Sequence, residues 1–201
     1  MIANKVTKTI SIKLCYYGPP QSGKSESAKT AYESCPINNR NEIVSLADAN
    51  NAIFDYFSIV TTSSKNIYIN CDVFTVPSGP YSIKTRKQLL SNCDGLIFVA
   101  SSEPEDEKAN LDSLEELRNI MAGYGELLEE FPLVFQYNKQ DIIGALPPKF
   151  LHHQLNTFGV DEYETVAIDR DPESNTVKAL QSLFSLIVAS KPFRDNTNKI
   201  L

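Results

Sequence analysis

Leu14-Cys15-Tyr16-Tyr17-Gly18-Pro19-Pro20-Gln21-Ser22-Gly23-Lys24-Ser25 carries the pattern G-x-x-x-x-G-K-S directly behind an alternating apolar run. The two glycines allow the backbone to wrap closely round an anion, Lys24 reaches terminal phosphate oxygens, and the Ser25 hydroxyl is placed to ligate magnesium. Gly18, Gln21, Ser22, Gly23, Lys24, Ser25 and Glu26 are therefore the candidate phosphate-binding positions, with Ser25 as the metal ligand. Val6, Ile10, Ile12, Leu14 and Tyr16 fall on even positions, the period of a strand, while Ala28, Ala31, Tyr32 and Cys35 follow helical spacing up to Pro36. Strand, glycine loop and helix thus come in the order that points a helix N-terminus at phosphate. The bland reading is a glycine turn with no ligand.

Working outward, the chain continues as alternating elements. Phe54 to Thr62 and the alternating Ile67, Ile69, Cys71 and Val73 predict a β-hairpin joined by Ser63-Ser64-Lys65-Asn66, with Ile43 to Ala47 before it unassigned. A helix is predicted within Ser82 to Asn92, and the run Gly95 to Ala100 reads as a central parallel strand covered on both faces. Leu111, Leu114, Leu117 and Met121 form a helical stripe, Leu133 to Tyr137 is another buried strand, and Pro147-Pro148 opens a short helix. A strand at Tyr163 to Ile168, a helix through Val177 and Ile187, and a frayed end at Asp195 to Leu201 complete the reading. The fold class is α/β: a P-loop NTPase domain over 1–190, with a mostly parallel sheet, one antiparallel hairpin strand and helices on both faces, then a polar tail over 191–201. In such sheets ligands sit at the carboxyl ends of the strands.

Asn138-Lys139-Gln140-Asp141 is a second motif, N-K-x-D, at such a strand end. The Asp141 carboxylate can accept from both N1–H and the exocyclic amine of guanine, whereas adenine leaves it unpaired, and such sites discriminate by roughly 10⁴ to 10⁵. Lys139 would cover the base with its aliphatic stem, and Asn138 would tie this loop back to the phosphate loop. An Asx-capped turn is the bland alternative.

With 201 residues, 42% hydrophobic and 22% charged, the composition suits one soluble globular domain. The net charge of -6 disfavours a nucleic-acid surface. The acidic cluster Glu103 to Glu107 reads as a solvated loop before a helix. Cys15, Cys35, Cys71 and Cys93 lack the short pairings of a zinc site and read as buried thiols of a reducing cytoplasm. No signal core, membrane span or encoded lipid anchor is expected. His152 and His153 read as surface residues.

Together these stretches resemble a Ras-like small GTPase, specifically the bacterial and archaeal MglA group. The likeness runs from about Ile10 to Ala189, through Tyr16 to Pro19, Ile53 to Phe57, Thr75-Val76-Pro77, Arg86 to Leu90, Cys93 to Ala100, Leu114 to Arg118 and Gln136 to Lys139. Thr75, where Ras has an aspartate, is particular to that group. The resemblance implies GTP and GDP with Mg2+, a molecular switch in cell polarity or motility, and regulators or effectors reading the hairpin edge and the segments Asp48 to Phe57 and Pro77 to Thr85. It also exposes departures. The family's switch threonine falls on Asn51, its cis-acting arginine on Asn50, its γ-phosphate-sensing glycine on Ser78, and its water-orienting glutamine on Gly79. A one-residue slip would give Gly79 the sensing role but put Pro80 at the glutamine position, so glutamine is missing either way. Pro20 removes a loop N–H that the family usually keeps, and the guanine-carbonyl contact falls on Ala167. Very slow GTP hydrolysis is the expectation. The alternatives are a pseudo-GTPase scaffold with permanent or no nucleotide, and an ATP-dependent enzyme, which the Asp141 logic disfavours.

Overall fold

In the computed structural model, which describes residues 1–49, 51–62 and 66–200, strand β2 (Thr9–Tyr17) is the axis of the sheet. It lies parallel to β5 (Tyr68–Thr75) on one side and to β6 (Gly95–Ser101) on the other. Beyond β6 follow β7 (Leu133–Asn138) and β8 (Glu162–Thr165), both parallel. Beyond β5 come β4 (Ile53–Thr62) and β3 (Val44–Ala47), both antiparallel. With β1 (Ile2–Asn4) antiparallel to β2, the described residues form an eight-stranded sheet. The expected α/β architecture and hairpin are present, and the hairpin connection 63–65 lies outside the described residues.

Alternation along β2 sorts its side chains. Ile12, Leu14 and Tyr16 pack with α1 (Lys24–Ser34), α5 (Asn175–Ala189) and α6 (Lys191–Ile200). Cys15 and Tyr17 point the other way, towards α2 (Ile83–Leu90), α3 (Glu107–Ala122) and α4 (Pro148–Leu155). Covered on both faces, β6 and β7 are buried at every position, which is why they read as largely apolar runs, with Gln136 the polar residue inside β7. Fully burying each large apolar side chain there contributes about 1.5–3 kcal/mol.

Three expectations need correction. The strand does not extend back to Val6, which is 94% exposed. Asn4 Oδ1 accepts from the Val6 and Thr7 amides at 3.0 and 3.2 Å, turning the chain so that β1 folds back on β2. The last strand stops at Thr165 rather than Ile168, because the chain turns there, with the Asp169 N–H bonded to the Val166 carbonyl at 2.9 Å. Of the predicted frayed end, Asp195 to Ile200 belongs to α6, whose Phe193 and Ile200 stand seven apart on one face and are buried in the core beside β2, and residue 201 lies outside the described residues. Among the described residues no helix is long and apolar enough to cross a membrane.

Candidate functional site

The loop from Gly18 to Gly23 joins the end of β2 to the start of α1 and depends on its glycines. Gly18 has φ +147° and a Cβ there would lie 2.2 Å from the Val99 carbonyl oxygen; Gly23 has φ +95° and a Cβ would lie 2.1 Å from Asn138 Nδ2. Space and backbone conformation both exclude a larger residue. Gln21 also takes a left-handed φ of 59°. Ser22 is fully buried, and its Oγ has no hydrogen-bond partner among the described residues.

Lys24 is the first residue of α1 and only 8% exposed. Its ammonium donates to the carbonyls of Gly18 at 3.0 Å and Pro19 at 2.6 Å, and to Ser78 Oγ at 3.4 Å. Burial, with the Arg86 guanidinium nearby, pushes its pKa down to about 7, while the two carbonyls favour the charged form. Lys24, Ser25, Glu26, Thr75, Ser78 and Gly79 help line a cavity of about 400 Å3 onto which the α1 N-terminus opens. The backbone N–H groups of that first turn and the helix dipole favour an anion there.

The N-K-x-D loop adjoins this cradle. Asn138, almost fully buried at the end of β7, donates from Nδ2 to the Ser22 carbonyl at 2.7 Å. Its Oδ1 accepts from the Ala167 amide at 2.8 Å and from Thr165 Oγ1 at 3.4 Å. Lys139, at φ 68°, pairs with Glu103 at 2.6 Å, so the acidic cluster after β6 anchors this lysine. Asp141 is exposed, and its carboxylate makes no hydrogen bond to another described residue.

The switch positions are arranged differently. Asn51 follows a turn in which Asp48 accepts from the Asn51 and Ala52 amides, at 2.9 Å each, and Asp48 Oδ2 also accepts from Thr85 Oγ1 at 2.9 Å. The cavity wall here is Ala52 and Ile53 rather than Asn51, and Asn50 lies outside the described residues. Thr75 is turned towards β4, its Oγ1 accepting from the Asp55 amide at 2.7 Å. Ser78 and Gly79 both reach the cavity wall, and a Cβ at Gly79 would meet only Ser82 Oγ, at 3.8 Å.

Arg86 is a residue that sequence reasoning gave no role. Buried to 6% exposure, it donates to the carbonyls of Gly79 at 2.6 Å and Pro77 at 3.3 Å, and pairs with Glu116 at 2.8 Å. Glu116 also accepts from the Tyr17 hydroxyl at 2.8 Å. The switch loop is thereby held to α3 and to the strand that feeds the phosphate loop.

A scan against protein-family models found no match. The mutual gliding-motility protein MglA of Myxococcus xanthus (strain DK1622) is 30% identical over 182 residues, covering 90% of this chain and 93% of that protein. That near full-length similarity shows the family: the chain belongs to the MglA family of Ras-like small GTPases.

Proposed function

We propose that this protein binds GTP and GDP with Mg2+ and acts as a slow molecular switch in the cytoplasm, in cell polarity or motility, speaking to protein partners through its two switch segments. The observation that carries the reading is Asn138, whose one side chain bonds both the phosphate loop at Ser22 and the late loop at Ala167. Base motif and phosphate motif are thus tied together by one side chain at the carboxyl ends of β2, β7 and β8.

The residues fit a nucleotide. Gly18 and Gly23 leave the backbone open to an anion, the unpartnered Ser22 hydroxyl is available to the loop, and Lys24 has its ammonium poised over it. On binding, Lys24 exchanges the Gly18 and Pro19 carbonyls for phosphate oxygens. Ser25 would hold the metal, which when bound offsets phosphate charge. Asp141, exposed on its loop, is free to accept from the guanine edge. The Ala167 amide would share or release its bond to Asn138 in meeting the guanine carbonyl.

The positions matched to the switch threonine and the water-orienting glutamine hold Asn51 and Gly79, and the only glutamine on the described cavity wall is Gln21 of the glycine loop. That favours, as second reading, a scaffold that holds nucleotide without turning it over. Extraction of nucleotide from purified protein separates these. Exchangeable GDP or GTP supports the switch, GTP that does not exchange or an empty site supports the scaffold, and ADP or ATP overturns the guanine assignment.

A further inference from the structure

Arg170 follows the late loop that carries Ala167, and its guanidinium reaches across to α1. Nε pairs with Glu33 at 3.0 Å and Nη2 with Glu26 at 2.8 Å. Nη1 donates to Thr30 Oγ1, to the Ala167 carbonyl at 3.2 Å and to the Glu26 carbonyl at 3.4 Å. Thr30 Oγ1 in turn donates to the Ala167 carbonyl at 2.5 Å. Ala167 is therefore held on both sides: its N–H by Asn138, its C=O by Thr30 and Arg170.

We propose that Arg170 is a positioning residue that clamps the base-reading loop onto the phosphate-binding helix and so sets how slowly guanine nucleotide leaves. The inference rests on the reading above that the site takes guanine nucleotide. Two physical effects act together. The loop from Val166 to the start of α5 is largely exposed, with Ile168 64% exposed, so little apolar packing fixes it and polar ties must. Glu26, in the first turn of α1, lines the phosphate cavity, where its charge opposes an incoming phosphate; Arg170 offsets that charge at contact distance.

The carboxylates and the guanidinium are each about 36–48% exposed, so these pairs are screened and contribute little to the stability of the fold. They act on where the loop sits. Arg170→Ala should release a fluorescent mant-GDP roughly tenfold faster, with the difference shrinking in about 0.5 M salt. Arg170→Lys, which keeps the charge but loses the fork, should fall between. Two readouts separate positioning from damage. Affinity for pyrophosphate, which feels the uncovered Glu26 charge but not the base loop, should fall by much less than GDP release accelerates, and the nucleotide-free melting temperature should move by no more than about 2–4 °C. Equal losses for GDP and pyrophosphate, or an unchanged release rate in Arg170→Ala, overturn the clamp while leaving the guanine reading intact. Wild-type protein that retains no mant-GDP overturns both.

Discussion

The two halves of the cavity contrast in how tightly their geometry is determined. On the holding side, Gly18 and Gly23 sit where any side chain would collide with the Val99 carbonyl or with Asn138, and Asn138 bridges two loops. On the switch side, Gly79 faces open space, and the helix behind it is held by Arg86 through carbonyls that any residue could provide. Holding a nucleotide requires several backbone segments to be fixed at once, whereas hydrolysis depends on a few side chains that can be lost without disturbing packing. A family member could therefore keep its grip and lose its chemistry; the structure itself shows a tightly determined loop at Asn138 and a loosely determined one at Gly79.

The largest effect expected is that of Lys24→Ala. Nucleotide binding should disappear, while the melting temperature stays or rises slightly, because burial already disfavours the ammonium there. A folded variant that keeps nucleotide would break the holding side of the contrast. Next comes Asp141→Asn, which should turn preference from GTP towards xanthosine triphosphate by up to roughly 10⁴, the scale on which paired hydrogen bonds reject a mispaired analogue. Paired titrations check it, and an unchanged preference removes Asp141 from the base site.

Gly79→Gln sharpens the other side. With only Ser82 Oγ near the new Cβ, the fold should accept the glutamine, and hydrolysis should rise by up to about 10² if orienting water is what is missing. Loss of folding instead would show that this loop is as constrained as the phosphate loop.

The smallest effect concerns Glu162, which braces β8 against α4. Burial pushes its carboxyl up, but Asn156, His152 and the Tyr137 hydroxyl outweigh that and hold it below the ordinary carboxylate value. Because the folded-state pKa is the lower, the stabilisation is present above the unfolded value of about 4.3 and is lost as pH falls through the folded one. Glu162→Gln should cost under about 1 kcal/mol at pH 7, given its solvent contact, and the difference from wild type should shrink as pH falls below the unfolded value. Urea unfolding at pH 7 and at a pH below that value reads this out.

Much of the holding side is legible in the sequence because glycine spacing and the buried runs of β6 and β7 are local patterns. What was not legible is non-local or weakly patterned. The edge strand β3 is exposed at all its positions, so alternation there carries no signal. Helix α6 buries only Phe193 and Ile200, too few apolar residues to stand out from a polar tail. Arg86 meets a carboxylate 30 residues away and Arg170 one 144 residues away, and no spacing rule names such partners. The burial of Lys24 has no sequence pattern either, because its ammonium folds onto the carbonyls of its own loop.

The contrast between a fixed grip and an emptied switch is tested most directly by single-turnover hydrolysis of GTP loaded onto the isolated protein. The account predicts that GTP stays bound and is cleaved at or below the order of 10⁻⁴ s⁻¹, since neither an arginine nor a glutamine stands at the switch positions. Cleavage at about 1 s⁻¹, the range reached only when both groups are supplied, would contradict it.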